Sequence, residues 1–187
     1  LFWFDLPLGL LLAFLFHNIN RNSLFDNLPT ILKSRFSAFR EFDWNGYFKK
    51  QWLVVTISIL IGAISHVLWD SFTHDQGYFV QTIPTLTNTL EFFGRHIPIL
   101  KILQHSSTLI GGIVILFTIY KLPINKNEKE NLNLSYWIII AGMTFAIIAV
   151  NLLSGLDIRQ YGNLIVTAIS AGMISLTLTP LIIKNKK

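Results

Sequence analysis

Five apolar runs constrain this chain more than anything else in it. Each approaches the roughly 20 residues that a bilayer core demands of a spanning helix. They extend over about Phe2 to Ile19, Trp52 to Phe72, Pro98 to Tyr120, Leu134 to Leu153 and Tyr161 to Ile183. Peptide groups in lipid must bond internally, and uninterrupted runs of this length do so only as helices. Polar and apolar residues do not alternate along them, so a strand reading fails. The expected architecture is all-α: a polytopic transmembrane helical bundle of five spanning helices, forming a single membrane domain over residues 1–187. Composition points the same way. Charged residues make up only 13% of the chain, against about 25% in soluble domains. There is no cysteine, which removes disulfides, thiolate metal sites and cysteine nucleophiles. The chain opens at Leu1 inside an apolar run, and its first methionine is Met143. It therefore reads as an amino-terminally truncated piece of a longer protein, not as one that starts with a signal peptide.

Charge sets the expected orientation. The net charge of +5 does not point to nucleic acid, because the basic residues flank the apolar runs. Arg21 to Lys50 carries six Lys or Arg, Lys121 to Asn133 carries three, and the tail adds Lys184, Lys186 and Lys187. Only Arg95, Lys101 and Arg159 fall on the other side. A split that alternates with every crossing puts the basic loops and the carboxyl terminus in the cytoplasm. An outside start for the first run then implies a further segment before Leu1. Within the long basic connection, Pro29 suits a first helical turn. Leu32, Phe36 and Phe39 share a face, with Lys33, Arg35 and Arg40 toward headgroups, as in an interfacial helix. The outer loop Asn88 to Ile97, with Leu90, Phe92 and Phe93, suits a position flat on the surface.

Against this plain background one stretch stands out, Gly62 to Gly77, which gathers His66, Asp70, Ser71, Thr73, His74 and Asp75. Ionisable groups are costly in hydrocarbon, so such a cluster is a functional-site hypothesis. On a helix His66 and Asp70 lie one turn apart on one face, and His74 continues the stripe. The third run supplies Gln104, His105, Ser106, Ser107 and Thr108. His66 and His105 both fall at a depth of about 10 Å from the outer face, at about 1.5 Å of rise per residue. Asp5 and Lys101 fall on the same side. A divalent ion, most simply zinc, held by His66, Asp70 and His105 is one reading. In it His74 or Asp75 carries protons, and the substrate is a lipid or lipid-linked molecule reached from the outer leaflet. A structural polar clamp between helices of a non-enzymatic scaffold is a second reading. A proton or ion pathway through His66 and Asp70 is a third.

The motifs resemble a known family. They are Asp5-Leu6-Pro7-Leu8-Gly9-Leu10 with Leu15-Phe16-His17, then Gly62 to His66 with Trp69 to His74 and Gly77, then Leu103 to Thr108. Together they look like a bacterial integral-membrane family catalogued as domain of unknown function 4184, over roughly the chain up to Tyr120. The His66-x-x-x-Asp70-x-x-Thr73 core is also similar to inner-membrane proteins described as metal-dependent hydrolases. The resemblance implies location in a bacterial inner membrane and metal binding by His66 and Asp70. It also implies a Ser-His pair and an acidic residue near the family's amino terminus, a region this sequence does not contain.

Overall fold

A computed structural model describes residues 2–129 and 132–183. The tail lysines Lys184, Lys186 and Lys187 lie outside the described residues. About 76% of the chain is helical. The helices are α1 (Asp5–Leu15), α2 (Arg21–Asp26), α3 (Thr30–Phe36), α4 (Trp44–Thr73), α5 (Tyr78–Thr82), α6 (Ile99–Lys121), α7 (Leu134–Leu153) and α8 (Tyr161–Ile182). A two-stranded antiparallel hairpin, β1 (Thr89–Phe92) and β2 (Arg95–Pro98), precedes α6.

Among the described residues four helices are long and apolar enough to cross a membrane: α4, α6, α7 and α8. This corrects the expected five. In the first run, α1 ends at Leu15 and a wider π-helical turn follows over Phe16–Asn20. The apolar stretch Leu6 to Phe16 covers only about 16 Å of rise, roughly half the hydrocarbon thickness. His17, Asn18 and Asn20 end it. The four remaining spans follow the apolar runs closely. Helix α4 extends further back, to Trp44, but Gln51 leaves helical geometry (φ −125°, ψ 30°) and kinks it just before Trp52.

The chain divides into two compact units, with Leu1–Leu10 and Asn45–Leu122 in one and Leu11–Trp44 and Pro123–Lys187 in the other. In the first unit, α1 touches α4 where Gly9 meets Ile59. A Cβ on Gly9 would come within 2.7 Å of the Ile59 side chain, so this approach needs glycine. The small core lies past the end of α4. Val80, Leu86 and Leu100 are buried together, and Phe72, Phe79, Ile99 and Leu103 pack around them. Phe72 stacks on Phe79 at 4.0 Å. This cluster ties the last turn of α4 to α5 and to the first turns of α6. Gly77 permits the reversal, since a Cβ there would lie 2.8 Å from the Cα of Ser71.

In the second unit the main helix pair is α7 with α8. Its seam is Ala171, Ser175 and Thr179, all fully buried at i, i+4 spacing, and Thr144 donates across it to Ser175 (3.1 Å). The small-residue pairs of these helices, Gly142 with Ala146 and Ala168 with Gly172, are not the tightest part. A Cβ on Gly142 or Gly172 would meet nothing within 4 Å.

The basic connection forms α3, but its charges turn away from the expected headgroup position. Lys33 is buried (6% exposed) and faces Glu128 at 4.0 Å. Arg40 pairs with Glu128 (3.2 Å) and Asp26 (2.6 Å). Arg21 is buried and donates to the carbonyls of Phe42 (2.7 Å) and Arg40 (2.9 Å).

Candidate functional site

Beyond its kink at Gln51, helix α4 continues to Thr73, and the chain turns back immediately afterwards. The amide of His74 still bonds the Asp70 carbonyl (2.9 Å), and Gly77 then bonds the His74 carbonyl (2.8 Å). The stripe expected from spacing therefore exists as a ladder on one face. His66 Nε2 lies 3.5 Å from Asp70 Oδ2, and His74 Nδ1 lies 3.6 Å from Asp70 Oδ1. One carboxylate thus stands between two imidazoles and shows each a different oxygen. Both separations exceed the 2.7–3.2 Å of an ordinary N–H···O bond. The three side chains are open: 76% exposed for His66, 38% for Asp70 and 52% for His74.

Neighbouring groups hold the ladder in place. Thr73 is buried, donates to the Trp69 carbonyl (3.2 Å), and its hydroxyl lies 3.5 Å from His74 Nδ1. Trp69 donates through its indole N–H to Ser107 Oγ (3.1 Å), and Ser107 donates to the Gln104 carbonyl (2.9 Å). Asp75 is largely exposed and pairs with Lys101 at 3.8 Å, while Lys101 also reaches Gln104 Oε1 (3.3 Å). Trp69 is thus a polar link from α4 to α6.

His105 does not join this group. It is exposed on α6, and no hydrogen bond or ion pair among the described residues connects it to His66 or Asp70. Matched depth fixes how far along a helix a residue lies but leaves open which way it faces. Among the described residues no group of three or more His, Cys, Asp or Glu converges closely enough to hold a metal ion. The set His66, Asp70 and His105 is therefore not assembled, and His66 with Asp70 is the part of it that meets.

The donor pair itself passes a simple test. A tetrahedral ion with ligands about 2.1 Å away keeps neighbouring donor atoms about 3.4 Å apart. His66 and Asp70 are at that spacing, as two corners of a site whose remaining positions the described residues do not supply. A nitrogen and a carboxylate oxygen are donors suited to zinc.

A model of a protein family described only as a domain of unknown function (DUF4184) matches residues 1–181. The chain belongs to that family. No curated protein and no solved structure matches it. Family membership thus brings no activity with it.

His17 enters the sequence reading only as the end of the Leu15-Phe16-His17 motif. It stacks on Trp44 with ring centres 4.3 Å apart and planes 7° from parallel. Arg21 Nη1 lies 3.4 Å from its Nδ1. Burial, and then the Arg21 charge, hold the His17 imidazole below its usual titration range. No local spacing announces this contact, because the two rings are 27 positions apart in the chain.

Proposed function

We propose that this integral membrane protein is a metal-dependent hydrolase of the bacterial inner membrane, with its carboxyl terminus in the cytoplasm. In this reading His66 and Asp70 hold a divalent ion, most simply zinc, near the outer face. The observation that carries it is the ladder itself, an exposed carboxylate flanked by two imidazoles at ligand-like spacing inside an otherwise apolar span. A bound zinc ion supplies a Lewis acid and lowers the pKa of water toward neutrality. The chain's own residues do the rest. His66 and Asp70 would hold the ion, and His74, whose Nδ1 faces Asp70 Oδ1 at 3.6 Å, would accept or return a proton. Thr73 orients His74, and Lys101 holds Asp75 as a second carboxylate nearby. The substrate class follows from position: a lipid or lipid-linked molecule with a hydrolysable bond at headgroup level.

The two other readings have less support. A structural clamp joins helices, whereas both His–Asp contacts are local, between residues four apart along α4 and its last turn, and remain exposed. A proton pathway needs titratable groups through the span, and Leu53 to Ile64 contains none.

Elemental analysis of the purified protein tests the proposal. Near one equivalent of bound metal is expected, falling to background in His66→Ala and in Asp70→Asn. Absence of metal from the purified chain, together with failure to take up added zinc, would reject it.

A further inference from the structure

The β1–β2 hairpin carries an apolar surface that the fold does not use. Its register pairs Leu90 with Ile97, Glu91 with His96 and Phe92 with Arg95. Directly opposed residues share a face, and successive residues alternate. One face is therefore Leu90, Phe92, Arg95 and Ile97, and the other is Thr89, Glu91, His96 and Pro98. The apolar face ends at a Phe93-Gly94 turn in which both residues have positive φ, 51° and 72°. Glycine belongs in such a turn, but a bulky aromatic there is an outlier. Phe93 is also 94% exposed, with Phe92 at 62%, and the two rings meet edge to face at 4.8 Å. Asn or Gly at position 93 would relieve the backbone and remove an exposed aromatic together. A strained, exposed Phe points to a role outside the fold.

We infer that this hairpin is an interfacial paddle, with Leu90, Phe92, Phe93 and Ile97 dipping into the lipid leaflet that meets the start of α6 and Arg95 binding anionic headgroups. Two observations favour lipid over other occupants. The hairpin runs into spanning helix α6 without a linker, since β2 ends at Pro98 and α6 begins at Ile99. Its base is pinned, with the Ile99 amide bonded to the Asn88 carbonyl (2.9 Å) and Leu100 buried in the core beneath. The paddle is thereby held at the level where the membrane begins. Arg95 adds charge complementarity, because a cation on the edge of an apolar face matches an anionic leaflet. Glu91 and His96 lie on the opposite face, toward water.

The inference rests on the membrane character of the chain and not on metal binding at α4. The absence of cysteine allows a direct test. Phe93→Cys and Glu91→Cys each carry one environment-sensitive fluorophore, with Leu90→Cys as a second reporter of the apolar face. The full chain is reconstituted in phosphatidylcholine vesicles with or without phosphatidylglycerol. Lipids carrying a nitroxide near the headgroup should quench the labels at positions 93 and 90 at least about threefold more than the label at 91, as expected for shallow insertion. Aqueous iodide should show the reverse order. Arg95→Glu should reduce lipid quenching at position 93 about twofold in phosphatidylglycerol vesicles and leave it unchanged in pure phosphatidylcholine. Equal iodide access at all three positions would overturn the inference by placing the hairpin in water. Protection of positions 93 and 90 from both quenchers would overturn it too, by indicating a protein cover such as a second copy of the chain. Metal content is a separate readout, so either reading can fail alone.

Discussion

The two units put their charges in opposite settings. In the unit containing α7 and α8, cations are drawn inside and met by partners: Lys33 by Glu128, Arg40 by Glu128 and Asp26, Arg21 by two backbone carbonyls. In the unit containing α4 and α6, His66, Asp70 and His74 stand exposed along one stripe, and their side-chain polar contacts among the described residues are to each other and to Thr73. Buried charges with partners distant in sequence are part of what holds a fold, and removing one partner leaves the other uncompensated. Exposed charges within a single helix contribute little to stability. Their presence in an apolar span therefore calls for a different explanation, and the proposed metal site offers one.

Substitutions that separate the two settings test this contrast. Glu128→Ala, by stranding buried Lys33 and leaving half-buried Arg40 with Asp26 alone, should cost about 3 kcal/mol in thermal unfolding of the detergent-solubilised chain. A loss below about 1 kcal/mol would mean that the buried pairs are not structural. Leu100→Ala, which empties the centre of the small core past α4, should cost about 3 kcal/mol. Its unfolding transition should also become less sharp if that core fixes the end of α4. The pH response of His17 should be smaller. Its folded-state pKa lies below the usual 6.5, so the folded chain binds this proton less readily than the unfolded chain. The stability it contributes is present above pH 6.5 and is lost as pH falls through the depressed folded value. His17→Phe keeps the ring against Trp44 and should flatten that part of the stability–pH curve. Asp70→Asn should change stability least, by no more than about 0.5 kcal/mol in the absence of metal.

Helices set by local apolar length were readable in the sequence. Helix α7 covers Leu134–Leu153, the run itself, α6 is shifted from its run by one residue at each end, and α8 stops one residue short of its own. The first run misled because its apolar part stops at Phe16, while Ile19 made it look longer. The hairpin went unread because strands of four residues bounded by turns carry too few alternations to stand out from a loop. In the site, the His66–Asp70–His74 ladder followed from i, i+4 spacing, which a helix imposes directly. The absence of His105 from it did not follow, because the rotation of α6 about its own axis is set by packing that depth arithmetic does not contain. The Arg40–Glu128 pair was invisible for a similar reason, with 88 positions of chain between its members.

Zinc-dependent unfolding of the wild-type chain and of Asp70→Asn, measured side by side, tests the central claim most directly. A ligand held by the folded state alone adds stability with concentration, about 2.7 kcal/mol at one hundred times its Kd. The account predicts that Tm rises with zinc in the wild type and stays flat in Asp70→Asn, although the two begin at nearly the same Tm. A zinc response of equal size in both, or none in the wild type, would contradict it.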